Sequence, residues 1–425
     1  MADLPPSADR PATHDVLIVG GGLVGASLAI ALEHSGLDVG LLEAAAPGSL
    51  PAVFDERNLS FGEATVHALT ALGVMQKLRT PGGPIERIHV SRRGDFGRSV
   101  MHARDYGREV FGRVVVARDF GEALEARLAE LDGLCRYRPM RFVGLGAVED
   151  GYRAVTVADD AGERVLRTRL LVGADGTASA VRAALGIEVD RHDYGQSLFV
   201  TRMRAARTPD GTAYERLGDD GPTALLPRGD GHYGLIHGVA REDAGAVAAL
   251  DEAGFLERAQ DAFGWRVGRF IACGQRSVYP IARVVARQQV AERAVLIGNA
   301  AQTIHPVGAQ GFNLGLRDAL TLAELVAPRR HDGDTVEDAG ASDPGDTDVL
   351  ARYVERRGAD RSRTLAFSDG LARVTANPAG VMRPLRGLGL FALDRLPALQ
   401  AALVGGALGY RGDVPALCRA PGLAG

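Results

Sequence analysis

A chain of 425 residues has room for roughly two or three domains and a large core, and its formal net charge of −4 gives no electrostatic case for nucleic acid. Cys135, Cys273 and Cys418 stand too far apart for a redox or metal motif, which points to a reducing cytosol without disulfides. Lys77 is the only lysine and Leu78 follows it, so there is no GxxxxGK[ST] phosphate loop; a GxSxG nucleophile elbow and an apolar run of about 18 residues are also absent.

The first thirteen residues, MADLPPSADRPAT, lack an apolar h-region and read as a disordered lead-in, not a signal peptide. Next comes DVLIVGGGLVGASLAIALEHSGLDVGLLEA, Asp15 to Ala44. Val16–Val19 is a buried strand pattern, Leu23–Leu32 continues as a helix, and Asp38–Leu42 is a second strand ending in Glu43. Gly20 permits the tight turn, Gly22 lets a pyrophosphate approach the backbone, and Gly25 lets helix and strand pack closely. The helix N-terminus offers unpaired N–H groups to phosphate. Glu43, 18 residues after Gly25, suits a ribose diol. The motif alone does not separate FAD from NAD.

The 86–110 region is hairpin-like. In LRTRLLVGADGTASAVRAALGI (Leu166–Ile187), Leu170–Gly173 is a strand, Asp175-Gly176 a turn and Ser179–Leu185 a helix, by itself an ordinary strand–turn–helix. The stretch 188–281 carries strand-like runs (SLFVTRMRA, TAYERLG, PTALLPRG, HYGLIHGVA, SVYPI) around one helix candidate, Ala244–Phe263, the pattern of an antiparallel sheet. His232 and His237, five apart, fall on opposite strand faces, and no metal is expected.

In RAVLIGNAAQTIHPVGAQGFNLGLRDAL, a strand at Ala294–Ile297 runs into Gly298 and Asn299, whose amide can bond a polyol. The loop Pro306–Gly311 leads into a helix at Phe312–Val326. Gly308, Gly311 and Gly315 leave bare backbone on which a flat ring can lie, and the helix N-terminus would stabilise negative charge on a reduced flavin. Pro328–Thr347 is acidic and polar and reads as disordered. Beyond it the pattern is helical: DVLARYVERRGADRSRTLAFSDGLARV, then two shorter apolar helices. Their segment, Val381–Arg411, sets Arg383, Arg386, Arg395 and Arg411 against Asp394 alone, which suits either an interfacial helix on anionic lipid or helices packed on the body of the protein.

These glycine signatures, with DERNLSFG (Asp55–Gly62), FGWRVGRF (Phe263–Phe270), QRSVYPI (Gln275–Ile281), the Gly298–Glu324 run and PLRGLGLFALDRLPAL (Pro384–Leu399), resemble the flavin-dependent aromatic hydroxylases. The wording is closer still to their ubiquinone-biosynthesis branch, of the 2-polyprenyl-6-methoxyphenol hydroxylase type. The resemblance covers residues 14–410. It implies an α/β fold like that of p-hydroxybenzoate hydroxylase: a Rossmann-like FAD-binding domain from 14–75, 112–187 and 282–328, an antiparallel-sheet substrate domain from 76–111 and 188–281, a disordered loop at 329–346, and C-terminal helices at 347–412.

It further implies FAD held by Gly20, Gly22, Gly25, Glu43, Arg57, Arg118, Asp175, Gly176, Gly298, Asn299, Gly308, Ala309, Gln310, Gly311, Phe312 and Asn313, with Gln302, His305 and Pro306 as the catalytic set. The implied chemistry is reduction of FAD by NADPH or NADH as a transient donor, capture of O2 as a C4a-hydroperoxide, and transfer of the distal oxygen to a polyprenylated phenol. The phenol supplies much of the reactivity, so the protein has to position the ring and keep water away. Only one complete dinucleotide fingerprint occurs, so the nicotinamide visits without a Rossmann domain of its own. Expected partners are a lipophilic phenolic substrate and O2, other ubiquinone-biosynthesis proteins, and the inner face of the cytoplasmic membrane as a peripheral contact for a cytoplasmic protein. A hydroxylase of another small phenol, or a flavin-dependent prenyl reductase, would share the FAD motifs. Two departures stand out. Asn299 replaces the Asp usual in the broad family, and Gly308-Ala309 replaces the branch's Ala-Gly, a swap of small residues expected to have little effect.

Overall fold

A computed structural model describes residues 11–51, 55–95, 97–327, 343–376 and 382–419. Its first sheet has five parallel strands in the order Ala294–Leu296, Gly162–Gly173, Thr13–Val19, Val39–Leu42 and Leu134–Tyr137. Val16–Val19, Val39–Leu42, Leu170–Val172 and Ala294–Leu296 are continuously apolar because both faces are covered there. Val16, Ile18, Leu170 and Val172 pack toward the helices Leu23–Ala31, Ala117–Leu128 and Gln310–Val326. Leu17, Val19, Leu171 and Leu296 face the other way. There the antiparallel strands Arg141–Glu149 and Tyr152–Asp159 continue from the outer half of Gly162–Gly173 and close the layer.

The second sheet runs Gln302–Thr303, Ser277–Ala286, Val189–Ala205, Tyr233–Ala240, Thr223–Pro227, Thr212–Leu217, Arg87–Arg92 and Arg98–His102, with Phe270–Cys273 also paired to Val189–Ala205. Its pairs are antiparallel except that Thr212–Leu217 lies parallel to Arg87–Arg92. One face is covered by the helix Glu252–Phe263, which buries Phe255, Ala259 and Phe263 against Phe199, Tyr233 and Leu235. The expected single helix Ala244–Phe263 is in fact two, Ala244–Ala248 and Glu252–Phe263. Asp251 starts the second one, accepting a hydrogen bond from Gly254 N at 2.8 Å as an N-cap.

The other face of this sheet meets the C-terminal helices, Thr347–Ala376, Met382–Arg395 and Pro397–Leu408. Val404 and Leu408 are buried against Met101, Ala213 and Leu226. Gly97 is needed where the hairpin meets the helix Met382–Arg395: a Cβ there would lie 2.3 Å from Gly387 O. Most of the segment expected to be disordered, 328–342, lies outside the described residues. Its end is ordered, because Asp343 pairs with Arg293 at 2.8 Å and Arg169 at 3.4 Å.

Candidate functional site

The three glycine signatures are far apart in sequence but leave the same edge of the parallel sheet, from three neighbouring strands ending at Val19, Gly173 and Leu296. Ligands of open α/β sheets bind at this carboxyl edge. Glycines let the turns close on one another. Gly20 has φ +107°, and a Cβ on it would lie 2.6 Å from Ala174 O. A Cβ on Gly25 would lie 1.9 Å from Gly20 O. Gly298 (φ +58°) and Gly315 would each press a Cβ onto Val24, at 2.9 and 2.8 Å. Gly315 therefore serves the packing of two helices, not the seat of a flat ring.

Gly22 and Ala309 are the N-caps of Leu23–Ala31 and Gln310–Val326. Neither helix start has a side-chain cap or an acidic residue in its first turn, so no side chain of the first turn satisfies the leading N–H groups of either helix. These two ends fit the pyrophosphate and the electron-rich ring edge of FAD. Glu43 is fixed beside the first turn, accepting from Gly21 N at 2.9 Å and Ala45 N at 2.7 Å. Both oxygens keep further acceptor capacity for a diol.

Several residues expected to touch the cofactor or substrate have side chains committed elsewhere. The Asp175 carboxylate accepts from Ser179 Oγ (2.6 Å) and Val181 N (3.0 Å), capping the helix Ala180–Ala184 after the turn at Gly176 (φ +84°). Asn313 spends its whole amide: Oδ1 accepts from Gly62 N and Thr65 Oγ1, and Nδ2 donates to Ser60 O and Ala309 O. Phe312 packs on Phe61 and Phe120 in the core. Arg118 is exposed and paired with Glu56 at 2.9 Å. Gln302 is buried, with Nε2 on Asp318 (2.6 Å) and Oε1 on Arg361 (2.9 Å), which gives it a positioning role in place of a catalytic one. His305 is buried and held neutral, its pKa pushed down to about 4 by burial. Its Nδ1 accepts from Val307 N at 3.1 Å and its ring stands edge-on to Tyr194. It shapes the loop.

The remaining residues of the expected set lie around the same turns. Asn299 is exposed at its turn, and Gly308, Ala309, Gln310 and Gly311 follow Pro306 around the loop. Gln310 Nε2 donates back to Gly308 O at 3.1 Å. Ala309 has φ +52°, a left-handed conformation that favours glycine, so the Gly308-Ala309 order does have a structural effect. Arg57 lies over the Tyr279 ring at 4.6 Å and bonds Asp55. Burial would raise the Asp55 carboxyl, but hydrogen bonds from Arg57 and Tyr279 outweigh it and hold the pKa below the ordinary value. Asn58, one residue on, has both amide atoms buried without a protein partner. Arg182 donates to Ala300 O and Thr177 O, tying the second signature to the third. Its sequence neighbourhood carries no signal for that role. Among the described residues no His, Cys, Asp and Glu group could hold a metal.

Beside the loop opens a cavity of about 600 Å³. The roof sheet contributes Ile88, Val90, Met101 and Leu217, and the loop contributes Val307, Gly308 and Gln310. Phe367 and Leu371 come from the long helix, and Leu393, Leu403 and Val404 from the C-terminal pair. Mostly apolar walls with few polar groups are the usual make-up of a small-molecule site.

The FAD-binding domain family matches residues 13–334. Over 413 residues the chain is 33% identical to ubiquinone hydroxylase UbiL of Rhodospirillum rubrum, covering 95% of this chain and 93% of that protein. It is 29% identical to the 3-demethoxyubiquinol 3-hydroxylase of Escherichia coli, covering 93% of this chain and 98% of that protein. Among solved structures, p-nitrophenol 4-monooxygenase PnpA of Pseudomonas putida superposes with a TM-score of 0.73 at 17% identity, over 95% of this chain and 100% of that one, a likeness of fold. The chain belongs to the FAD-binding domain family, in the group that holds the ubiquinone hydroxylases.

Proposed function

We propose that this protein is an FAD-dependent monooxygenase that hydroxylates a polyprenylated phenol in ubiquinone biosynthesis, using NADPH or NADH and O2. The observation that carries this reading is the apolar cavity opening directly on the loop Val307–Gln310, where a greasy ring can lie beside a flavin. The relatives named above supply the pathway. Bound FAD supplies the redox chemistry, taking reducing equivalents from the nicotinamide and delivering one oxygen atom of O2 to the ring.

The chain's own residues hold and orient. The N-terminus at Gly22 takes the pyrophosphate, Glu43 the adenosine ribose, and Arg57, Asn58 and Asn299 are placed for the ribityl and phosphate span. The loop from Pro306 to Gly311 presents backbone N–H groups to the ring, with Asn313 and Gln302 clamping the loop's two ends. The roof and C-terminal helices keep water from the reacting face. The test is turnover under ¹⁸O₂ with a short-chain alkyl phenol: one labelled oxygen per product molecule is expected. NAD(P)H-dependent product without label would replace the reading with a reductase.

The C-terminal helices give this function a route to its insoluble substrate. No single helix among the described residues is long and apolar enough to cross a membrane. Leu388, Phe391, Leu396 and Leu399 are nevertheless exposed beside Arg395, while Val404 and Leu408 are buried on the roof. Leu399 also lines the cavity, so the face that meets lipid borders the substrate's entrance. Phe391→Ser with Leu388→Ser should abolish co-sedimentation with anionic liposomes at low salt and leave FAD content unchanged. Full-length protein that ignores such liposomes would remove the membrane contact.

A further inference from the structure

One charged side chain in the cavity is explained neither by the fold nor by the cofactor. Side chains alternate along the strand Thr212–Leu217. Tyr214 stands against Phe263 at 5.6 Å on the helix-covered face, so Glu215 points the opposite way, into the cavity that it lines. Its neighbours on that face are Ala213 and Leu217 along the strand and Val90 and Ala224 across the sheet. Among the described residues its carboxylate makes no hydrogen bond and no ion pair. Burial alone pushes this carboxyl up to about 7. A carboxylate among apolar walls is unfavourable until something donates a hydrogen bond to it. The paired charges Arg317 and Asp360 also border this cavity, but their hydrogen bonds are made to each other.

We propose that Glu215 is the recognition group of the cavity: its carboxylate accepts a hydrogen bond from a ring hydroxyl of the substrate, fixing how the ring enters and rejecting rings whose hydroxyl is methylated. The inference rests on the cavity being the phenol site. The prenyl tail has no polar atom with which to set the ring's orientation, and the other roof residues that line the cavity, Ile88, Val90, Met101 and Leu217, offer only dispersion contacts. A buried acceptor is therefore what distinguishes a free phenol from its methyl ether, because the ether leaves that acceptor unpaired.

The experiment is calorimetric titration of the FAD-loaded protein with a short-chain alkyl 2-methoxyphenol and with the corresponding dimethyl ether. The parent should bind the phenol about 10-fold to 100-fold more tightly, the range for a hydrogen bond to a charged group. Glu215→Leu should bind both within about 2-fold, and Glu215→Gln, which keeps a neutral acceptor, should retain part of the preference. FAD content serves as the folding check, and if the Leu variant loses its flavin the Gln variant carries the test. A parent that does not discriminate, or a Gln or Leu variant with the full preference, overturns the role of Glu215 and leaves the cavity assignment standing. A parent that binds neither ligand overturns the cavity assignment and the proposal with it.

Discussion

Beneath the loop, buried charge is paired; across the cavity, Glu215 on the roof has no partner among the described residues. Asp318 is sealed from solvent and receives Arg357 at 2.8 Å and Gln302 at 2.6 Å. Arg317 bonds Asp360 at 2.8 Å, and Arg357 stands 2.9 Å from it as an ion pair. Every member of this group is on the long helix, the helix Gln310–Val326 or the strand before the loop, so their bonds lock those three together. Glu215 faces the cavity from an apolar stretch of roof strand, and among the described residues its carboxylate has no hydrogen-bond or ion-pair partner. The difference separates two uses of a buried carboxylate. A paired one fixes a shape, and an unpaired one is kept available for a partner that comes from outside.

The contrast breaks most severely at Arg357. Arg357→Met leaves Asp318 charged, buried and short of its main donor, and should cost about 3–5 kcal/mol in urea unfolding, with FAD lost as the loop loosens. A loss below about 1 kcal/mol would mean that the network is not what holds the loop. Titration sharpens the same contrast. The Glu215 carboxyl titrates near 7 when folded and near 4.5 when free, so its burial costs nothing below pH 4.5 and its full penalty applies above pH 7. Arg317, Asp360, Arg363 and Arg411 also line the cavity, and the shift is set by burial. Glu215→Leu should therefore gain stability relative to the parent between pH 5 and pH 8, by up to roughly 3 kcal/mol. A pH-independent difference would show that the carboxyl is not sealed.

On the loop side the sign reverses. His305 has its pKa lowered from 6.5 to about 4, so the unfolded chain binds the extra proton first and stability falls as pH drops from 6.5 toward 4. His305→Gln should flatten that acid limb, and an unchanged thermal-melt profile from pH 6.5 to pH 4 would contradict the buried neutral ring. The smallest effect belongs to Ala309. Its left-handed backbone strains any residue with a Cβ, and Ala309→Gly should raise stability by about 1 kcal/mol or less, after the extra chain entropy of glycine is deducted. A net loss would mean that the loop tolerates Ala without strain.

The glycine turn at 20–25 was legible in the sequence because its demands are local: a positive φ at Gly20 and a close approach at Gly25. The same holds for the strand at 294–296 and the helix that follows. What could not be read was which side chains those elements spend on each other. Gln302 and Asn313 sit inside the most specific motif of the chain, yet their partners Arg361 and Ser60 lie 59 and 253 residues away. A motif marks a position as constrained without saying whether by ligand or by neighbour. Glu215 was hidden for another reason. In TAYERLG a period of two separates the faces of a strand but cannot tell a solvent face from a cavity face. The strands at 141–149 and 152–159 were missed because their apolar positions are interrupted by glycine, alanine and charge.

The meeting of Val24, Gly298 and Gly315 has a consequence for cofactor choice. It clamps the helices Leu23–Ala31 and Gln310–Val326 against each other near their positive ends, with no room for a Cβ on Gly298 or Gly315 beside the Val24 side chain. Two anion-seeking tips are thereby held a fixed span apart, like the jaws of a set caliper. A molecule gains from both jaws only if its phosphate and its ring are separated by that span. Flavin mononucleotide would span both jaws with its ring and single phosphate, so the set distance measures the ribityl length that the two flavins share, and preference for the dinucleotide would fall to contacts with the adenylate half.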